Sequence, residues 1–466
     1  MSTQMVPEVF PFPGLSPRSP GWWRDRVVFL AGVVVLLIMA GIFSTHGEGS
    51  DAPRCFLIAG RHMLQREAIH RLTETYSYPP ATAFLLLPIC RMPQTSLLVT
   101  WYLLNALAIA SLFHSAWKLA GGPKLIGMEN RWHGVFWLGA VLLMGRFFLA
   151  PLENMQSDII VAAMVLGGCR LIWSGRDVTG GSLIGTAAAM KCTPLLFVPY
   201  LILRRRWGAA AGVLVAAALW NVLPDLLLPQ SNGHSYLGDW AHTYLSFAGK
   251  SAPGVWHSDL LLNQSLGGAC NRWLRLGLGL PVLDAHMSGR ELPLSAVGWL
   301  KWGTYGMSAL LLGTTVFCGG KWLRRLPNIS ALERAPLPWH QLHFSVEVAA
   351  VLALMLLLSP MSGKAHFVSL LLPCLLIARW IIERPGWVTG ALLAVLVVCG
   401  PLGSKSLLGT AWGQHCLIWG TPTLFALGTL VFCWRILRAS DVQGSRIEAQ
   451  VYPVVPAPAA RRRLAA

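Results

Sequence analysis

Six polar residues, Asp51, Asp158, Lys191, Asn263, Arg272 and His366, stand at the edges of long apolar runs and read onto one face of a membrane. Charge at or inside a bilayer is expensive, so a group of such residues marks a functional site. Asp51 follows the first apolar run (Val27 to Phe43) and can act as a general base, taking a proton from an attacking hydroxyl at the bilayer surface. It also suits an N-cap for the segment that starts at Ala52. Lys191 ends the apolar stretch Leu183 to Met190 and precedes Cys192-Thr193-Pro194. It is either a phosphate-binding lysine or one that snorkels from a helix end. Arg272 offers a guanidinium that matches phosphate oxygens in pairs, or an interfacial anchor. His366 closes Ser359-Pro360 to Ala365 directly before another apolar run and serves either the site or the headgroup layer.

Composition says what must hold these residues. Of 466 residues, 54% are hydrophobic and only 12% charged, against about 25% charged in soluble domains. The apolar runs have the length of helices crossing roughly 30 Å of hydrocarbon. The chain therefore reads as an all-α polytopic membrane protein. The net charge of +17 does not point to nucleic acid, because Lys and Arg are scattered between the apolar runs. They read as orienting charges that also attract anionic lipid. The ten cysteines form no CxxC or Cys/His metal pattern, and most lie within apolar runs. Cys55 and Cys270 fall on one face, which leaves a disulfide open.

The positive-inside rule orders the runs. Residues 1–26 form a cytoplasmic segment ending in Arg24 and Arg26, and 27–438 form one transmembrane domain. Residues 44–94 are a first outer loop with an amphipathic interfacial helix over 54–70, one side carrying Phe56, Leu57, Met63 and Leu64. Ala81 to Met92, bounded by prolines, is too short to cross and reads as a dip from the outer face. Spans near 95–117 and 132–150 then bring 153–158 to the outer side. A span near 159–173 and short Gly- and Pro-containing helices at 180–190 and 194–203 lead to Arg204-Arg205-Arg206, which marks the cytoplasmic side, and a span near 208–228 leads to a long outer loop over 229–297 containing His234, Asp239 and His257. Further spans near 298–318, 342–358, 367–382, 387–403 and 415–434 bring the count to about 12. A disordered cytoplasmic tail follows over 439–466.

With these residues in place, the chain resembles glycosyltransferase family 87, polytopic enzymes of the C-type fold. The resemblance covers about residues 25 to 380. It rests on Asp51 after the first span, Tyr76-Ser77-Tyr78-Pro79-Pro80, Asn154-Met155-Gln156-Ser157-Asp158, Ala187 to Pro194, Asn263-Gln264-Ser265, and Ser359-Pro360 to His366. It implies an inverting, polyprenyl-phosphate-sugar-dependent hexosyltransferase, commonly moving mannose to a lipid or glycan acceptor outside the cytoplasm. Asp51 would be the base, with Lys191 and His366 near the donor phosphate. Tyr78, Gln156, Asp158, Asn263 and Arg272 complete the substrate-binding set. Two departures from the family pattern stand out: Ser157-Asp158 follows Gln156 in place of x-Asn, and Gly363 and Ala365 replace bulkier residues before His366. No metal or cofactor is implied beyond the lipid donor, and no nucleic acid. The chain would sit in the cell membrane with both termini cytoplasmic. A lipid-linked-sugar flippase or transporter is the alternative, with broken helices in two matching halves as its expected mark.

Overall fold

A computed structural model describes residues 51–70, 76–122, 130–245, 261–282, 292–319 and 338–451, with scattered positions between 27 and 42. Among these the structure is helical, without strands. α1 (Asp51–Leu64) is followed by two short pieces, α2 (Pro80–Leu85) and α3 (Leu87–Cys90). Long helices α4 (Gln94–Leu119) and α5 (Asn130–Glu153) lead into α6 (Asp158–Trp173), α7 (Asp177–Met190), α8 (Phe197–Leu203) and α9 (Trp207–Leu227). Next come α10 (Tyr236–Trp240), α11 (Leu266–Gly277), α12 (Leu294–Cys318) and α13 (Pro338–Leu358). The chain ends in α14 (Leu371–Glu383), α15 (Trp387–Val397), α16 (Lys405–Ile418) and α17 (Thr421–Val451).

Among the described residues, five stretches are long and apolar enough to cross a membrane: Ser96–Leu119, Trp207–Leu227, His340–Leu358, Lys364–Glu383 and Thr421–Ala439. A sixth is possible if the pair Trp387–Leu402 and Leu407–Ile418, bent by 112°, counts as one. The expected count of about 12 also takes in short helices, the long helices α5 and α12, which are not among these five, and the run at 27–43, most of which lies outside the described residues. α6, α7 and α8 have 16, 14 and 7 residues, and at ~1.5 Å per residue none reaches ~30 Å. Most of α6 is buried among other helices, where a short helix is tolerated. The span expected at 415–434 is divided instead: α16 stops at Ile418, Gly420 turns with φ +74°, and α17 begins at Thr421. α17 also runs to Val451, into the segment read from composition as disordered. Residues 1–26 and 452–466 lie outside the described residues.

Glycine makes the short α7 possible. A Cβ on Gly180 would lie 2.5 Å from Gly168 O of α6, and one on Gly181 would lie 2.1 Å from Ala209 O of α9. Gly185 and Gly212 meet opposing backbone just as closely, at 2.4 and 2.7 Å. Three helices thus touch backbone to backbone, as small residues allow inside membranes. Ion pairs hold both ends of α7. Asp177 at its start accepts from Arg206 at 3.2 Å, and Lys191 just beyond its end donates to Asp158 at 2.7 Å.

The main core joins α4, α5, α6, α13, α14 and α17. A second, separate cluster gathers Phe56, Ala59 and Met63 of α1 with Tyr76, Ala83, Leu86, Met155 and Tyr236. The amphipathic reading of α1 holds in its periodicity, although the buried stripe (Phe56, Ala59, Gly60, Met63) faces protein: a Cβ on Gly60 would meet Cys90 Cβ at 3.1 Å. α2 and α3, of six and four residues, are together far too short to cross. All ten cysteines are free thiols, Cys55 and Cys270 included.

The Arg204-Arg205-Arg206 turn is more than an orienting charge. Arg204 is buried and its Nε donates to Glu347 Oε2 of α13 at 2.7 Å, with Tyr200 donating to the same oxygen at 3.0 Å. His343 lies 3.1 Å from the other oxygen.

The glycine contacts give a direct test. Gly181→Ala should destabilise the folded protein by about 1–3 kcal/mol, because the methyl overlaps backbone that cannot move aside. Gly145→Ala, where nothing lies within 4 Å, should be neutral or slightly stabilising. Thermal unfolding of the two variants in detergent separates them.

Candidate functional site

The site forms where three chain turns meet. The first is the end of α5. Pro151 lies within its last turn, and Met155 adopts a left-handed conformation (φ +49°) that reverses the chain. This delivers Gln156, Ser157 and Asp158 to the start of α6, with Asp158 on the first turn and 4% exposed. The second turn is the end of α7. Lys191 leaves the helix in extended conformation (φ −149°, ψ 112°), and Pro194 follows in a short 3-10 turn. The third is the loop 359–366.

Lys191 Nζ donates to Asp158 Oδ1 at 2.7 Å and sits 5.3 Å from the centroid of the Tyr78 ring. Burial pushes the Tyr78 phenol above its usual value, and the neighbouring Lys191 pulls it back. Asp158 Oδ1 also lies 3.9 Å from His366 Nδ1. That nitrogen accepts from Gly363 N–H at 3.1 Å, so the neutral ring carries its proton on Nε2. Asp158 Oδ2, Ser157 Oγ and Gln156 Oε1 are all buried and lack a hydrogen-bond partner. Three successive residues thus carry buried polar atoms for which the protein offers no partner, and such atoms in a native structure ask for an explanation, a bound ligand among them.

The Tyr76-to-Pro80 segment is pinned from several sides. Tyr76 Oη donates to Pro79 O and accepts from Ala83 N–H at 2.9 Å, which fixes the entry into α2. Its carbonyl accepts from Tyr244 Oη at 2.8 Å, and Ser77 O accepts from Trp240 Nε1 at 3.2 Å. His70 Nε2 donates to Tyr78 O at 3.0 Å, and burial lowers the pKa of that imidazole, keeping it neutral. Thr82 Oγ1 donates to Met190 O at 2.9 Å and so ties α2 to the end of α7, next to Lys191. Asp225 accepts from Ser235 Oγ at 2.7 Å and Tyr236 N–H at 2.6 Å, which turns the chain after α9 back toward this segment.

Of the residues expected from sequence, Tyr78, Gln156, Asp158, Lys191 and His366 come together. Asn263 and Arg272 support the third turn. Asn263 Nδ2 donates to Pro360 O at 2.9 Å, and its Oδ1 accepts from Ser265 N–H and Ser362 N–H. Gln264 N–H donates to Ser362 O at 2.6 Å. Arg272 is fully buried, donating through Nε to Ile418 O at 3.2 Å, through Nη2 to Gln264 Oε1 at 3.3 Å, and through Nη1 to Asn263 O. The Asn263-Gln264-Ser265 triplet therefore braces the loop that carries His366. Asp51 opens α1, but its side chain lies outside the described residues, as does His257. Two further cations, Arg146 and Lys364, escape a motif-based reading. The signal for Arg146 was present as a lone charge inside Leu142-Leu143-Met144-Gly145-Arg146-Phe147-Phe148.

Helix ends that converge on buried, unpartnered polar atoms form a candidate site in a helical membrane protein. The family model for glycosyltransferase family 87 matches residues 76–360, more than half of the chain, and the chain belongs to that family. The match opens on Tyr76 and closes on Pro360, two of the segments that meet at the site. A polyprenol-phosphate-mannose-dependent alpha-(1-2)-phosphatidylinositol pentamannoside mannosyltransferase of Mycobacterium tuberculosis is 26% identical over 225 residues, 47% of this chain and 48% of that protein. The polyprenol-phosphate-mannose-dependent alpha-(1-2)-phosphatidylinositol mannoside mannosyltransferase of Mycolicibacterium smegmatis is 25% identical over 214 residues, 44% of this chain and 45% of that protein. The chain thus spans about half the length of the curated relatives it matches. No solved structure matches it.

The central ion pair predicts an asymmetry in stability. Lys191→Met leaves Asp158 buried without its partner and should cost about 3–5 kcal/mol. Adding Asp158→Asn should return most of that loss, since a neutral pair no longer holds an uncompensated charge. Unfolding midpoints of the single and double variants check it.

Proposed function

We propose that this membrane glycosyltransferase moves a hexose, mannose by its relatives' chemistry, from a polyprenyl phosphate to a lipid or glycan hydroxyl. The reading places the reaction on the extracytoplasmic face with both termini inside. The observation that carries it is the run of buried, unpartnered polar atoms on Gln156, Ser157 and Asp158 beside Lys191 and His366. Two of the three, Oε1 and Oδ2, are acceptors, and a sugar is a ligand that supplies hydroxyl donors at close spacing.

Asp158 is neutralised by Lys191, which suits binding more than proton abstraction. Asp51, at the start of α1, is the proposed base. It takes the proton from the acceptor hydroxyl as that oxygen attacks the anomeric carbon. The bond from that carbon to the phosphate oxygen breaks, and its electron pair leaves with the lipid phosphate. One displacement inverts the configuration. Lys191, Arg272 and His366 remain the residues nearest this chemistry by motif. In the structure Lys191 and His366 lie beside Asp158, while Arg272 bonds Asn263 and Gln264, which in turn brace the loop carrying His366.

Asp51→Asn should lower transfer by about 10²–10⁴-fold with donor binding retained, because the amide cannot accept a proton. The full chain, reconstituted with polyprenyl-phosphate mannose and candidate acceptors, provides the assay. An Asn variant at wild-type rate would remove Asp51 from the chemistry. Movement of intact lipid without sugar release would replace the transferase with a flippase.

Sidedness has its own test. Asn154 is exposed beside the site. Asn154→Cys, in a background with Cys192→Ser, should label from outside intact cells. Labelling from the cytoplasm alone would invert the proposed orientation.

A further inference from the structure

The face of the protein remote from the Asp158–Lys191 pair carries a cavity of about 450 Å³, within the range of ligand pockets. Two membrane-length stretches place it there. Lys364–Glu383 starts beside His366, and its far end brings Trp380 and then Arg384 to the cavity. Thr421–Ala439 starts where Thr423 Oγ1 donates to Gln264 O at 2.9 Å, and its far end brings Arg435 and Arg438. Each stretch is long enough to cross between the two places, so the cavity lies at the opposite leaflet.

Its lining is cationic. Arg435 and Arg438 stand three residues apart on one face of α17, and Arg384 follows the end of α14. Arg384 lies 4.8 Å from the centroid of the Trp380 ring, and Arg438 lies 5.7 Å from that of Phe317. Such contacts orient a guanidinium and leave its charge in place. No acid among the described residues lines the cavity, and Glu383, next to Arg384 in the chain, is 2.7 Å from Arg379. Trp380 is only 7% exposed, and its Nε1 is a buried donor without a partner. Gly386 and Thr389 are also in the wall, so α15 begins at the cavity, with no side chain capping its first amides.

Guanidinium groups, an indole N–H and a helix start are all donors, and together they match one ligand chemistry, a phosphate group. Trp387, beside the cavity, is 85% exposed, as suits an indole in the headgroup layer. A phosphate at that depth belongs to a lipid. We propose that this cavity binds the phosphate headgroup of an anionic membrane lipid, in the leaflet opposite the candidate site. Under the orientation proposed above this is the cytoplasmic leaflet, whose surface is negative. The binding chemistry does not depend on the transferase reading.

The full chain in dodecyl maltoside micelles is titrated with phosphatidylglycerol, phosphatidylcholine or inorganic phosphate, and native mass spectrometry counts the bound lipid. Phosphatidylglycerol should bind roughly tenfold or more tighter than phosphatidylcholine, and Arg435→Gln with Arg438→Gln should abolish that preference. Gly386→Glu removes no arginine, and a Cβ there meets nothing within 4 Å. It should lose the same preference by placing a carboxylate at the cavity. Arg176→Gln alters an exposed arginine on the same face, at the end of α7 away from Lys191, and should change nothing. Melting curves establish that each variant is folded. Folded cavity variants that keep the wild-type preference overturn the proposal. An equal loss in Arg176→Gln overturns it too, since the preference would then reflect diffuse surface charge. Inorganic phosphate that displaces phosphatidylglycerol at equal concentration overturns the assignment to a lipid.

Discussion

A charge taken out of water must find its partner within the protein, and the Asp158–Lys191 pair shows how much of this structure follows from that demand. The two residues lie 33 positions apart, at the start of α6 and just past the end of α7. They meet because those helices are antiparallel and joined by a tight turn. That closeness depends in turn on glycine, since a side chain at Gly168 or Gly180 would force the helices apart. Met155 in its left-handed conformation and Thr82 against Met190 O then fix the two ends in register. The pair holds the two helix ends together, and the same ends carry the unpartnered atoms of Gln156, Ser157 and Asp158.

α7 repeats the device at its other end, where Asp177 meets Arg206. Beside it, Arg204 is sunk against Glu347 with Tyr200 and His343 around them. A 14-residue helix is too short to be held by the bilayer. Here ion pairs at both ends and backbone contacts along its length replace that support. Removing a partner from Asp158–Lys191 or Arg204–Glu347 strands a charge where water scarcely reaches it, whereas partly exposed pairs such as Asp177–Arg206 and Arg379–Glu383 contribute little.

Which parts were legible in the sequence follows from the same physics. Helical membrane architecture is written in composition, because hydropathy acts residue by residue. The short helices at 177–190 and 197–203 were visible from their glycines, prolines and charged ends. Their neighbours were not, since a glycine shows that something approaches closely without saying what. Tyr78, Gln156, Asp158, Lys191 and His366 were legible as a set because polar residues at span edges are rare. Asn263 and Arg272 carried the same signal, yet they bond mainly to main-chain groups of the loop 359–366 and of Ile418. Polarity at an edge announces that a group is needed there, not whether it meets ligand or backbone. The division of the expected span 415–434 hung on Gly420, a single left-handed residue within an apolar stretch.

Around Asp158 the cation is already neutralised, and the unpartnered atoms there are mostly acceptors, so the site suits hydroxyl donors. The loop 359–366 brings His366 Nδ1 to 3.9 Å from Asp158. Bracing of that loop by Asn263 and Gln264, which Arg272 bonds in turn, therefore sets where His366 stands relative to the ion pair. Electrostatic help at such a site depends on groups fixed before charge develops, and a loop held by Asn263 through Pro360 O and Ser362 N–H, by Gln264 through Ser362 O, and by Ser362 Oγ on Leu356 O meets that requirement.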